Sequence, residues 1–127
     1  MLVQFLKSKI HGAKVTDAQI HYTGSITIDS HLMEKAGILP FEKVLVVSLE
    51  SGERLETYAI EGKRGKGEIC INGAAARKIL KGESIIIMSF AVLDKDEAKK
   101  HTPLIIHVDS KNRAIKEQNK KDKNDEC

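Results

Sequence analysis

The chain has 127 residues, 41% of them hydrophobic but only 4% aromatic, with no Trp, so it has room for one compact domain whose core must be aliphatic. Its net charge of +3 is a mild surplus and weak ground for a nucleic-acid partner. Two cysteines without a Cys-x-x-Cys pair, and five histidines without a His-Glu-x-x-His spacing, leave no disulfide framework and no recognisable zinc motif.

Residues 1–9 hold too short an apolar core for a signal peptide. No apolar run approaches the ~20 residues needed to span a bilayer. A soluble cytoplasmic protein with no membrane partner is therefore expected. Residues 14–22 give no clear pattern until Thr23-Gly24, after which Ile26 and Ile28 alternate as in a strand. Asp29 or Ser30 can cap a short helix carrying Leu32, Met33 and Ala36, which Gly37 can end before Pro40. Apolar, β-branched runs then predict strands over 44–49 and 55–60, joined by a turn at Ser51-Gly52. Gly62, Gly65 and Gly67 mark a loop before a strand over 69–71. Asn72-Gly73 leads into a helix expected over 74–80, and Lys81-Gly82-Glu83 forms the next turn. A strand is expected over 85–92, then a helix over 95–100 capped by Asp94. Its acids lie in the first turn and its lysines in the last. After Pro103 comes a last strand over 104–108.

Many short strands with a few short helices predict a mainly β fold, a small closed barrel. The expected domain covers residues 1–110. From Lys111 to Cys127 the chain is almost wholly polar and cannot bury enough surface to offset ordering, so a disordered tail is expected. A helix starting near Ala114 is the alternative.

Residue types alone single out little chemistry. Gly24-Ser25 reads as a turn glycine before a strand serine, and Asn72-Gly73 as a plain turn. Tyr58 reads as a barrel residue with its hydroxyl at the rim, Arg54 as a surface charge beside Glu53 and Glu56, and Cys70 as a buried, apolar-like residue.

Taken as ordered strings, the segments carry more. Lys9-Ile10-His11, Lys14-Val15-Thr16, His21-Tyr22-Thr23-Gly24-Ser25, Ala36-Gly37-Ile38-Leu39, Thr57-Tyr58-Ala59-Ile60 and Asn72-Gly73-Ala74-Ala75-Ala76-Arg77 follow one another with consistent gaps. Over about residues 1–108 the chain resembles the bacterial aspartate alpha-decarboxylase family. The resemblance implies a double-psi β-barrel and a homotetramer with active sites between subunits. It also implies a precursor that cuts itself between Gly24 and Ser25, with or without an accessory maturation protein. Ser25 then becomes a covalent pyruvoyl group, and neither metal nor pyridoxal phosphate is required. The substrate would be L-aspartate, converted to β-alanine and carbon dioxide for pantothenate and coenzyme A synthesis.

The same resemblance assigns roles. Glycine at position 24 would let the scissile peptide take a geometry other residues resist. The pyruvoyl ketone would condense with the aspartate amine as a Schiff base and act as an electron sink. Tyr58 would return a proton to carbon. Thr57 would hydrogen-bond near the scissile carbonyl and later the substrate. Arg54, with Lys9 as a second cation, would grip a substrate carboxylate. Gly73, Ala74 and Ala75 would offer free backbone N–H groups at a helix start. Asn72, Tyr22 and His11 would support processing. His21 is a weaker candidate. Gly12 and Lys66 depart from the family pattern. Two rivals stand beside this reading. One is a non-catalytic basic β-barrel that binds DNA, although acids are interspersed and stacking aromatics are scarce. The other is a decayed relative that no longer matures, which the retained Gly24-Ser25, Thr57 and Tyr58 oppose.

Overall fold

A computed structural model describes residues 1–115. The first strand is long. β1 (Leu2–Lys14) alternates so that Ser8 and Ile10 point inward while Lys7, Lys9 and His11 point outward. The sequence pattern did not reveal β1. Its first half is only half-covered, and its register is made with β7 (Ser84–Asp94), about 80 positions away. The pairing slips between Leu6 and Ser8 and again between His11 and Ala13. The second slip contains Gly12 at φ +84, a left-handed bulge position that favours glycine. Gly12, a departure in the sequence, thus has a local conformational reason.

β2 (Asp17–Gln19), β3 (Ser25–Asp29), β4 (Lys43–Ser48), β5 (Arg54–Gly62), β6 (Ile69–Asn72) and β8 (Leu104–His107) complete one sheet, ordered β2-β6-β3-β5-β4-β7-β1-β8. The chain runs straight from β1 into β2, which lies beside β6 at the other end of that order. Thr16 seals the join. Its N–H and hydroxyl both donate to the Ile69 carbonyl, and its hydroxyl oxygen accepts from the Ile69 N–H. The sheet therefore closes on itself, leaving only β8 as an appended strand. β2–β6 and β3–β5 are parallel pairs within it. The expected mainly β, closed barrel with short helices is what forms.

Period-two alternation fills the interior. Val44 and Val46 of β4, Ala59 of β5, and Ile85 and Ile87 of β7 are fully buried with Ile10, Ile26, Ile28, Ile69 and Ile71. Each large aliphatic side chain so buried contributes roughly 1.5–3 kcal/mol. The hydroxyls of Ser8 and Ser89, also fully buried, satisfy each other at 2.7 Å.

α1 (Ser30–Ala36) and α2 (Lys95–Lys100) form where their caps predicted. Asp29 accepts from the His31 N–H, Gly37 closes α1 at φ +67, and Asp94 accepts from the Glu97 N–H. The helix expected over 74–80 is instead a 3-10 helix, Gly73–Arg77. Ile79 is wholly buried, and drawing it into the core ends the helix early. The polar segment expected to be disordered from 111 has an ordered beginning. Asn112 is buried, and Ala114 bridges to Val108. The rest of that segment, 116–127, lies outside the described residues. Among the described residues no helix is long and apolar enough to cross a membrane.

Candidate active site

β3 and β6 run antiparallel with Ser25 opposite Asn72. This register brings a buried serine (2% exposed) against a buried amide (3% exposed). Asn72 Nδ2 donates to Ser25 Oγ at 3.0 Å and to Thr27 Oγ1 at 2.9 Å. Asn72 Oδ1 accepts from Cys70 Sγ at 3.2 Å. The amide is thus fully used on side chains, and it does not cap the 3-10 helix that follows. Ser25 Oγ in turn points its own hydrogen at the Thr23 carbonyl, 3.3 Å away.

Cys70 is more than an apolar filler. Its place two residues before Asn72 on β6 puts both on one face of the strand, a signal present in the sequence but not used there. Burial pushes the Cys70 thiol above its ordinary range, with Asp17 and Glu68 adding to the effect. The sulfur therefore keeps its hydrogen and can donate it.

Gly73 fixes the segment before Ser25. At φ +74 it packs against Gly24 so closely that a Cβ would lie 2.6 Å from Gly24 Cα and 2.9 Å from the Tyr22 carbonyl. Gly24 is different. It is outside the left-handed region, and a Cβ there would meet nothing within 4 Å. The glycine held at a left-handed φ and crowded by its neighbours is Gly73, which presses on Gly24.

β3 and β5 are parallel with Ile26 beside Ala59, which sets Tyr58 alongside Ser25. Both line an open cavity of about 670 Å³, together with Asn72, Cys70, Thr27 and Tyr22. His21, Asp17 and Glu68 are also on its wall, and no Lys or Arg is.

The remaining sequence candidates lie elsewhere in the single chain. Thr57 faces away from Tyr58 through the pleat of β5 and does not line the cavity. Arg54 is exposed at the start of β5. Ala74 is exposed and Ala75 half-buried on the 3-10 helix. Five residues of 3-10 helix are too few to build a substantial dipole at that start. Lys9 and His11 project from β1, which β4 and β7 separate from β5. His11 packs its ring 5.5 Å from that of His107. Burial, then Lys9 and His107, lower its pKa, and its Nδ1 is buried with no hydrogen-bond partner among the described residues. Among the described residues, no three His, Cys, Asp or Glu side chains group as metal ligands would.

Comparison with known proteins gives a consistent result. A family model described as aspartate decarboxylase matches residues 1–115. The aspartate 1-decarboxylase of Caldicellulosiruptor saccharolyticus is 54% identical over 127 residues, covering 100% of this chain and 98% of the relative. That of Thermoanaerobacter pseudethanolicus is 57% identical over 110 residues, 87% of this chain and 94% of the relative. That of Campylobacter hominis is 54% identical over 115 residues, 91% of this chain and 99% of the relative.

Proposed function

The chain belongs to the aspartate decarboxylase family, and from that premise we propose that it is a self-processing enzyme that converts L-aspartate to β-alanine and carbon dioxide. The observation that carries this reading is the Asn72–Ser25 hydrogen bond beside a cavity shared with Tyr58. Family membership leaves the DNA-binding alternative without support.

Processing begins with Ser25 Oγ adding to the Gly24 carbonyl carbon. The Gly24–Ser25 peptide C–N bond breaks, the nitrogen takes a proton, and an ester joins Gly24 to the Ser25 oxygen. Loss of the Ser25 α-hydrogen then breaks the Cβ–Oγ bond and frees the Gly24 carboxylate. Water replaces the nitrogen, ammonia leaves, and residue 25 ends as a pyruvoyl ketone. Gly73 supports this step by packing against Gly24 and limiting its movement. Asn72 supports it by holding Ser25 Oγ in one orientation.

The residues around Ser25 fit such a group. Position 25 is shielded from bulk water yet borders the cavity, and the Asn72 N–H remains as a donor for a carbonyl oxygen. When present, the ketone supplies an electron sink for decarboxylation. Tyr58, on the same wall, has the phenolic O–H needed to protonate carbon.

Aspartate carries two carboxylates, and the cavity of one chain holds acids but no Lys or Arg. Arg54 and Lys9 would therefore bind substrate across a contact between copies, within a homotetramer. Exposed apolar side chains support such a contact: Tyr22 is 64% exposed, Leu39 68% and Phe41 76%. Thr57, Ala74, Ala75, Tyr22 and His11 would support binding or processing from the same assembly. Supply of β-alanine for pantothenate and coenzyme A synthesis, in the cytoplasm, completes the reading.

Intact mass on the purified protein tests it. Two fragments are expected, one of residues 1–24 and one blocked at its N-terminus and lighter by one ammonia than simple hydrolysis would leave. A single uncut chain that forms no β-alanine from aspartate would refute the reading.

A further inference from the structure

A second cavity, about 530 Å³, opens where four separated segments meet. They are residues 14–16 at the end of β1, Lys66-Gly67 in the β5–β6 loop, Lys81-Gly82 before β7, and residues 110–113 after β8. Lys14, Lys66, Lys81, Lys111 and Arg113 all line it, and no Asp or Glu does. The ion pairs found among the described residues use Lys7, Lys43, Arg64 and Lys78. None uses a cation of this cavity.

Two carboxylates feel these charges, Asp17 through Lys81 and Asp109 through Lys111 and Arg113. Both are already engaged. Asp17 accepts from Gln19 Nε2 and the Ala18 N–H, and Asp109 accepts from the N–H groups of Lys111 and Arg113. Cations remain in clear excess. Bringing like charges together raises the energy of the empty cavity, and an anion lowers it.

The floor of the cavity is fixed. Asn112, 2% exposed, donates to the carbonyls of Lys14 and Gly67 and accepts from the Lys14 N–H. Gly67 sits against the Lys111 carbonyl so tightly that a Cβ there would collide with it. A cradle that stays open over a cluster of cations is what a polyanion site requires. We propose that this cavity binds a small anion of the oligophosphate class, whether free or attached to a larger molecule.

The chemistry of recognition follows from which donors are unused. The N–H groups of Val15, Thr16, Gly82 and Asn112 bond to backbone carbonyls, and that of Gly67 bonds to Asp29. Side-chain ammonium groups and the Arg113 guanidinium are the charged donors that would hold the ligand. Such binding rises with ligand charge and falls steeply with salt. A volume of this size also lies within the usual range for small-ligand sites.

Calorimetry on the full-length chain tests the site with tripolyphosphate, pyrophosphate and orthophosphate. Affinity should fall in that order and drop at least ~10-fold for tripolyphosphate between low and physiological salt. The triple variant Lys66→Gln/Lys81→Gln/Lys111→Gln should bind tripolyphosphate at least ~10-fold more weakly. Its melting temperature and its self-cleavage should match the parent. On the unmutated chain, amide resonances of Gly67, Gly82 and Asn112 should shift on adding tripolyphosphate, a readout that needs no variant. Adenosine triphosphate run in parallel separates the sources: tighter binding than tripolyphosphate points to a nucleotide, equal binding to the phosphate chain alone, and either sustains the site. No binding at low salt, equal affinity for all three phosphates, an unaffected triple variant, or shifts centred elsewhere would each overturn it.

Discussion

Asn72 engages every hydrogen-bonding atom of its side-chain amide with Cys70, Thr27 and Ser25, and Cys70 decides which way round that amide sits. A protonated thiol needs the amide oxygen beside it, which turns both N–H bonds toward the two hydroxyls. Cys70→Ala removes that preference and leaves a buried oxygen without its donor, a loss of about 1–3 kcal/mol. Self-cleavage by the alanine variant should slow by roughly 10-fold, followed as the disappearance of the uncut chain. Cys70→Ser keeps a donor and should stay close to the parent. Equal rates for Cys70→Ala and the parent would remove Cys70 from the network. The two glycines of the site separate in the same way. Gly73→Ala forces a Cβ into Gly24 at a left-handed φ, so it should cost at least about 1–2 kcal/mol and block cleavage. Gly24→Ala meets open space and should fold with a melting temperature near that of the parent.

Asp29 links three elements, and its effect is on stability. Its carboxylate caps α1 through the His31 N–H and holds the β5–β6 loop through the Gly65 and Gly67 N–H groups. Burial alone would raise its pKa. The three N–H groups outweigh burial, and the pKa falls below the ordinary value of 3.8. The folded state thus holds the proton less tightly than the unfolded chain does. Its contribution is present above the unfolded value and is lost as pH drops through the folded one. Denaturant unfolding from pH 7 down to pH 3 should show this loss in the parent, and Asp29→Asn should flatten it. At neutral pH, Asp29→Ala should cost about 0.5–2 kcal/mol for the cap alone. At this scale the sequence was most legible. Caps and end residues announced α1 and α2, and Ser51-Gly52 announced the β4–β5 turn, where Gly52 takes φ +74. The 3-10 helix and β1 are not legible locally, because burial of Ile79 and pairing with β7 are long-range effects.

In the whole molecule, the parallel pairing of β3 with β5 sets Ser25 and Tyr58 on one cavity wall, which neither Arg54 nor Lys9 lines. If the substrate is gripped between copies, two inactive variants should rescue each other. Co-expressed Ser25→Ala and Arg54→Ala chains should recover β-alanine formation at roughly a quarter of the sites, those that take an intact Ser25 from one copy and an intact Arg54 from its neighbour. Each variant alone should be inactive. Failure of the mixture, with both chains present in one assembly, would place Arg54 in the same chain's site or outside the chemistry.

The amino-acid order alone determined the aliphatic core, the short capped helices, most strands and, through its ordered strings, the family. Those features depend on neighbours within a few residues, or on a pattern that survives without coordinates. Only the tertiary structure decided that Cys70 is a polar partner of Asn72, that Gly73 rather than Gly24 is the crowded glycine, and that five basic residues line a second cavity. Each of these depends on strand register and loop packing between distant segments, and local periodicity carries no information about that.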